Sequence, residues 1–331
     1  MPNNRDIAAL LAVLIVFAVS VEGLTHYWFG RVSRIERRRE QEYRGALAVR
    51  SGKNRNAESI LVVGNSLLLE GVNFPELQRD SGDGVEFTRL VVENTSYLDW
   101  YYGLRRLFKK GAQPDWVVLV LNPTQLTSDA TDGDYTAHLL LAHDDLLKLA
   151  ADVRADRNRT SSLALANLSF FYGNRAEIRS WILGKILPDF ENLTHSLHSS
   201  TGVVPKRNSS QLASRRLVQL RETCQRHGVR PVVVIPPATA DAGASELVQA
   251  AEGTGVSVVV PIAPGTLPRS DFSDNFHLNS SGAGKFTPVL AANLKRVFSP
   301  QIAAAQTAMA PVPLGVNRGA HNVNAKRSKQ D

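Results

Sequence analysis

The sequence contains one cysteine, Cys224, among 331 residues. A lone cysteine can form no intramolecular disulfide, and nothing in the sequence pairs Cys224 with a catalytic set. It falls within a helical pattern over residues 211–227, so we predict that its side chain packs in the core. Cysteine usage therefore indicates neither an oxidising nor a reducing compartment.

Metal-binding patterns are also scarce. His195 and His198 have the spacing of a ligand pair, but no cysteine and no well-spaced third ligand accompanies them. We interpret them as surface histidines. The sequence therefore predicts no metal site, and no cofactor is predicted either.

The positive charge of the chain is concentrated in one short stretch. The formal net charge is +7 at pH 7, and much of it comes from the seven arginines Arg31, Arg34, Arg37, Arg38, Arg39, Arg44 and Arg50. Because they follow an apolar run, anionic lipid headgroups are a more natural partner for them than nucleic acid. We predict no nucleic-acid binding.

The apolar run that precedes these arginines is long enough to cross a bilayer. Residues 7–21 are almost wholly apolar, and apolar and aromatic character resumes after Glu22 as far as Trp28. We predict an N-terminal tail over 1–6, a transmembrane anchor over 7–28 and a basic juxtamembrane helix over 29–57, which we interpret as a solvated stalk. The alternative is a signal peptide cleaved after the small-x-small sequence at 18–20.

Five apolar segments in the rest of the chain have the composition of strands that are buried on both faces. They are continuous Val, Ile and Leu runs rather than alternating patterns, at residues 60–63, 87–92, 116–121, 231–235 and 256–260. Helical patterns over 97–110, 211–227, 241–253 and 281–297 separate and follow them. These features predict a three-layer α/β domain over 58–300, with a flavodoxin-like parallel five-stranded sheet.

Two further segments are distinguished by length and composition. Residues from about 125 to 208, between the third and fourth strands, are predicted to be a mostly helical insertion that overhangs the carboxyl edge of the sheet. Residues 301–331 are rich in Ala, Pro, Asn and Lys without periodicity, which predicts a disordered tail.

Ser66 follows the first predicted strand and precedes a helical pattern. At the carboxyl end of a parallel strand, its hydroxyl would face the crevice where open α/β sheets bind ligands. The alternative is that Ser66 only caps the helix, but a capping box would need Glu or Gln where Leu69 stands.

Asp274 and His277 lie three residues apart, in a predicted loop that enters the last helix. At this spacing the carboxylate can orient the imidazole, whose other nitrogen can then reach Ser66. The alternative is that both are ordinary loop residues. We predict a catalytic triad in which Ser66 is the nucleophile, His277 the general base and acid, and Asp274 the residue that orients it.

These motifs resemble those of the SGNH (GDSL-like) hydrolases. The first block of that family ends in Gly-Asp-Ser and the last reads Asp-x-x-His, where this sequence has Gly64-Asn65-Ser66 and Asp274 to His277. The resemblance extends over about residues 58–298, with an insertion. It implies the flavodoxin-like fold and the acyl-transfer chemistry of the family.

The resemblance also implies donors for an oxyanion. The family uses the amide of its nucleophile, a glycine amide after the second strand and an asparagine after the third. Asn122 is the asparagine here, although an Asn-Pro turn is an equal explanation for it. No glycine follows the second strand, so the amide of Thr95 or Ser96 would have to replace it.

The anchored members of the family suggest a function. They include proteins similar to those of alginate O-acetylation and teichoic-acid D-alanylation, whose domains lie outside the cytoplasm. We therefore expect an acyltransferase or esterase that acts on a cell-surface polysaccharide, possesses an extracytoplasmic domain and works with a multi-pass acyltransferase. The arginines behind the span favour the opposite orientation. A catalytically silent scaffold that binds a polymer or a partner acyltransferase is the alternative function.

Overall fold

A parallel sheet of five strands forms the centre of the domain. The computed structural model describes residues 3–51, 57–187 and 209–298. The strands are Glu58–Gly64 (β1), Val85–Val91 (β2), Trp116–Val120 (β3), Arg230–Val234 (β4) and Ser257–Val259 (β5). Their order is β2-β1-β3-β4-β5, and every neighbouring pair is parallel. This is the flavodoxin-like order, so the predicted five-stranded α/β fold is confirmed.

Both faces of the sheet are covered, which explains why its strands are continuously apolar. Every residue of β3 is buried. Successive residues of β1 point to opposite faces: Leu61 and Val63 belong to one apolar core, and Ile60 and Val62 belong to the other. The sheet is therefore the middle layer of three.

The covering helices divide between the two faces. One core includes side chains of Ser66–Gly71 (α3), Phe74–Ser81 (α4) and Ser280–Phe298 (α14). The other includes side chains of Arg34–Ala48 (α2), Tyr97–Lys109 (α5), Ser209–Gln225 (α12) and Ala244–Ala251 (α13). Cys224 is fully buried in this second core, as predicted.

The chain between β3 and α12 is mostly helical in the residues that the structure describes. Its α-helices are Pro123–Thr127 (α6), Asp134–Leu139 (α7), Leu146–Asp152 (α8), Arg157–Leu168 (α9), Phe170–Gly173 (α10) and Arg175–Ile186 (α11). The later part of the predicted insertion, including His195 and His198, lies outside the described residues, and so does the tail predicted over 301–331.

The N-terminal helix Asn4–Val32 (α1) has the properties expected of a membrane span. Its most apolar 18-residue window has a mean hydropathy of 2.6 and is not buried against the rest of the protein. Contacts with the domain begin at Glu22, whose Oε2 accepts hydrogen bonds from Ser169 Oγ (2.7 Å) and the Phe171 amide (3.2 Å). Phe29, near the end of α1, is buried.

Helix α2 lies against the domain rather than in solvent. Glu42 accepts hydrogen bonds from the Val91 amide at 2.8 Å and from Arg89 Nε at 2.7 Å. Tyr43 and Ala46 enter the core. The interpretation of this segment as a solvated stalk is therefore wrong. Because β2 is an edge strand, its outer polar groups need partners, and α2 supplies those of Val91 through Glu42 and Arg38.

We expect Glu42→Ala to lower the free energy of unfolding by about 2–4 kcal/mol, because the Val91 amide and the Arg89 guanidinium lose a buried partner. The matched control is Glu40→Ala on the same helix, whose pair with Arg44 is exposed on both sides. It should cost less than about 0.5 kcal/mol. Denaturant unfolding of the full chain in detergent would measure both, and equal losses would contradict the docking of α2 through Glu42.

Candidate active site

Ser66 is the first residue of helix α3, immediately after β1. The cap of this helix is Asn65, whose backbone is extended and whose Oδ1 accepts a hydrogen bond from the Leu67 amide at 3.0 Å. Capping therefore does not account for Ser66. Gly64 permits the tight turn, since a Cβ there would lie 2.8 Å from the Val120 carbonyl oxygen of the adjacent strand.

The structure brings Ser66, His277 and Asp274 into one hydrogen-bonded chain. His277 Nε2 lies 2.9 Å from Ser66 Oγ, and His277 Nδ1 lies 2.8 Å from Asp274 Oδ2. The two motifs are 211 residues apart in sequence. They meet because β1 ends at the same edge of the sheet as the loop that precedes α14.

The loop around His277 fixes the direction of the Asp274 carboxylate. Oδ1 of Asp274 accepts hydrogen bonds from the amides of Phe276 (2.7 Å) and His277 (2.6 Å). An antiparallel bridge between Phe272 and Leu278 closes the loop. The other carboxylate oxygen is thereby left for the imidazole, as the three-residue spacing predicts.

Asp274 is held in its ionised form. Burial alone would raise its pKa, but hydrogen bonds from the side chain and amide of His277 and from the Phe276 amide bring the pKa below its usual value. An ionised Asp274 accepts a hydrogen bond from Nδ1–H of His277, and Nε2 is then the unprotonated nitrogen that faces Ser66. This is the tautomer that a general base requires.

Asn122 occupies the N-cap of α6, directly after β3. Its Oδ1 accepts hydrogen bonds from the Gln125 amide and from Thr124 Oγ1, both at 2.8 Å, and Gln125 Oε1 completes a capping box. The turn-forming interpretation is therefore correct for the side-chain oxygen. Within the described residues Nδ2 makes no hydrogen bond, so this donor is available for an oxyanion.

Thr95 lies in the turn that follows β2. The turn is possible without glycine because Asn94 adopts the left-handed conformation, with φ of 60°, which asparagine tolerates better than most residues. The Ser96 amide donates to Asp99 Oδ2 at 2.9 Å and is therefore occupied. The Thr95 amide has no acceptor among the described residues, so of the two amides considered only this one is available.

Asn65, the residue before Ser66, connects this turn to the start of helix α3, a link that the sequence motifs do not show. Its Nδ2 donates to the Thr95 carbonyl oxygen at 2.8 Å, while its Oδ1 caps α3. An aspartate at this position could accept from the Leu67 amide, but an ionised carboxylate could not donate to Thr95. The amide side chain where the family has aspartate was the only available indication of this role.

Glu93 holds the same turn from the other side. Arg38 and Arg39 of α2 both form ion pairs with its carboxylate. Burial alone would raise the pKa of Glu93, but the charges of Arg39 and Arg38 bring it below its usual value. The turn that contains Thr95 is therefore fixed by α2 and by Asn65.

The insertion forms one wall of a polar cleft beside Thr95. This cleft has a volume of about 270 Å³ and is lined on the insertion side by Thr124, Gln125 and Ser128. A second cleft of about 390 Å³ shares Thr124 and Ser128 with it and continues toward Asp241. Both clefts have serine, threonine and carboxylate side chains in their lining, which can form hydrogen bonds with a hydroxyl-rich ligand.

Solved structures that align with this chain share little of its sequence. LAE5, an α/β hydrolase from the metagenome of Lake Arreo in Spain, is 10% identical, with 77% of this chain and 100% of that chain covered and a TM-score of 0.39. TesA is 12% identical over 73% and 100% of the two chains, with a TM-score of 0.36. Axe2, an acetyl xylan esterase from Geobacillus stearothermophilus, is 12% identical over 75% and 95%, with a TM-score of 0.34.

No family model and no curated protein sequence matches the chain. The assignment of a function therefore depends on the geometry of the site.

Proposed function

We propose that this chain is a membrane-anchored SGNH-like acyltransferase or esterase. The observation that carries the proposal is the continuous hydrogen-bonded chain from Ser66 through His277 to Asp274. Each residue belongs to a motif in the order of the SGNH family, and each has the partner that its role requires.

The geometry supports a two-step acyl transfer. His277 Nε2 removes the proton from Ser66 Oγ as that oxygen attacks the acyl carbonyl carbon. The tetrahedral oxyanion then accepts hydrogen bonds from the amides of Ser66 and Thr95 and from Asn122 Nδ2. The Ser66 amide is free for this because the first amides of a helix have no partner within it.

Collapse of this intermediate expels an alcohol, to which His277 returns the proton, and leaves the acyl group on Ser66. An incoming hydroxyl group then attacks the ester while His277 again acts as the base. Water as the attacking group gives an esterase, and a sugar hydroxyl gives a transferase. In both steps Asp274 accepts the hydrogen bond from His277 Nδ1–H and stabilises the imidazolium.

The proposed substrate is an acetylated or acetyl-accepting cell-surface polysaccharide. Support comes from the resemblance to anchored SGNH proteins and from the serine and threonine side chains that line the cleft beside Thr95. A multi-pass membrane acyltransferase is the proposed source of the acyl group.

The proposed location of the domain is extracytoplasmic. The arginines behind the span favour a cytoplasmic domain. Two of them, however, form ion pairs inside the folded domain, so their presence has a structural reason that is independent of topology. Arg38 and Arg39 both bind Glu93.

The first prediction concerns the triad as a unit. Ser66→Ala and His277→Ala should each abolish nearly all turnover of an acetyl ester, and the double variant should be little worse than either. A fluorophosphonate probe should label the wild type at Ser66. The matched control, Ser270→Ala, changes an exposed serine of the same region and should leave turnover intact.

A double variant whose loss of turnover equals the product of the two single losses would contradict a shared mechanism. Absence of turnover in the wild type with retained polymer binding would instead favour the silent scaffold.

The second prediction separates the two uses of Asn122. Asn122→Ser retains a favoured capping oxygen but loses the Nδ2 donor, so turnover should fall by about 10²–10³-fold. Stability should change by less than about 0.5 kcal/mol. Asn122→Ala loses both the donor and the cap, so its free energy of unfolding should be lower by about a further 1 kcal/mol. Unchanged turnover per folded molecule in Asn122→Ser would leave Asn122 with the cap alone.

The third prediction concerns orientation. Alkaline phosphatase fused to the C-terminal end of the full chain should be active, because that enzyme folds only outside the cytoplasm, and a reporter that fluoresces only in the cytoplasm should be dark at the same position. The reverse pattern would mean that the arginines determine the topology, and it would exclude a cell-surface substrate.

A further inference from the structure

Helices α9 to α11 carry a group of exposed apolar side chains. Leu168 and Ile186 are 73% and 67% exposed, and Leu165, Phe171 and Ile182 are between 39% and 51% exposed. We call these five residues the insertion patch. Exposed apolar groups of this kind on a soluble surface indicate a contact with another apolar phase or partner.

The insertion patch lies close to the C-terminal part of α1, from Glu22 onward. Glu22 binds Ser169 and Phe171, which follow Leu168. The ring of Trp28 meets that of Trp181 edge to face, with centroids 4.8 Å apart, and Ile182 is the next residue. The patch therefore adjoins the part of α1 that follows the fully exposed residues 4–20.

The length of α1 defines where a bilayer would end. Residues 4–20 are exposed throughout, and at 1.5 Å per residue they extend over about 25 Å, close to the thickness of a hydrocarbon core. Contacts with the insertion begin only at Glu22. The insertion thus starts where the hydrocarbon would stop.

The side chains at this level are typical of a membrane interface. Tyr27 and Trp28 are 58% and 46% exposed, and the guanidinium of Arg31 lies 3.8 Å from the centroid of the Tyr27 ring. Aromatic and basic side chains of this kind are enriched at the headgroup level. The Glu22 carboxylate, the one acidic group between Ile7 and Phe29, is satisfied by a hydroxyl and by main-chain amides.

The same arrangement places the catalytic edge of the sheet near the span. Helix α2 begins two residues after α1 ends, and Arg39 lies about 7.5 Å from the start of α2 at 1.5 Å per residue. Arg39 binds Glu93, which lies two residues before Thr95, and Thr95 is bonded to Asn65 beside the nucleophile. The carboxyl edge of the sheet, not its amino edge, is therefore joined to the membrane end of α1.

We propose that the insertion patch lies in the headgroup region of the bilayer beside α1 and holds the Ser66 edge of the sheet against the membrane. This proposal rests on the anchoring part of the proposed function, though not on catalysis. It means that the acyl donor or acceptor reaches Ser66 along the membrane surface. A lipid interface is the favoured occupant because the patch adjoins the part of α1 that follows the exposed residues 4–20.

The test uses cysteines introduced at exposed positions. Cys224 is fully buried, so a cysteine placed at an exposed position can be labelled selectively in the full-length protein. Leu168→Cys carries an environment-sensitive fluorophore in vesicles of neutral and anionic phospholipids, a fraction of which bear a nitroxide on the acyl chain near the headgroup. The control is Asp83→Cys, an exposed position that precedes β2 at the amino edge of the sheet.

We expect the label at Leu168→Cys to shift its emission to shorter wavelength and to lose most of its intensity when nitroxide lipid is present. The label at Asp83→Cys should do neither. A Leu168→Cys label that behaves like the control would overturn the proposal. A shift without lipid quenching would also overturn it, because a second copy or another part of the chain would then cover the patch.

Retention in the vesicles after an alkaline carbonate wash is measured on the same samples. A chain that washes off would count against the anchor, and thus against the proposed function as well. A chain that is retained but whose Leu168→Cys label is not quenched would count against the patch alone. The same labelling in a Ser66→Ala background should give the same fluorescence, because the position of the patch does not depend on catalysis.

Discussion

The ion pairs between Glu93 and the two arginines Arg38 and Arg39 connect the main parts of this protein. Glu93 stands at the carboxyl end of the edge strand β2, and both arginines belong to the helix that follows the candidate span. Arg39 also pairs with Glu177 of the insertion. The buried guanidinium of Arg39 therefore joins α2, the end of the edge strand and the insertion. On the other side of the turn that carries Thr95, Asn65 Nδ2 donates to the Thr95 carbonyl oxygen.

The carboxyl groups near this turn differ in their ionisation for clear physical reasons. Glu93 has two cationic partners and a lowered pKa. Burial and the charge of Glu177 raise the pKa of Glu36 to about 7, despite Arg39 and a hydrogen bond from Tyr135. Burial raises the pKa of Asp99 to about 6, although hydrogen bonds from Ser96 oppose it. Of these three carboxyl groups, only Glu93, which pairs with two guanidinium groups, has a pKa below its usual value.

Sequence patterns located the fold and the hydrogen-bonded triad well because both depend on local signals. Continuous apolar runs placed all five strands to within two residues, since strands buried on both faces need no alternation. The three-residue spacing of Asp274 and His277 reflects a turn closed by its own amides. The solvated stalk was the clear error, because amphipathic spacing among seven arginines does not reveal an edge strand that needs hydrogen-bond partners.

The sequence by itself determined the parallel α/β domain, the apolar N-terminal helix and the two motifs that meet at Ser66, since each is encoded by residues close together in the chain. Only the tertiary structure decided which amides are free for an oxyanion: the Ser96 amide is occupied by Asp99, while that of Thr95 has no acceptor among the described residues. It also decided that Asn65 bonds to Thr95 and that α2 belongs to the domain. The bond of Asn65 and the packing of α2 are long-range pairings, and a contact between residues far apart in sequence leaves no local pattern to read.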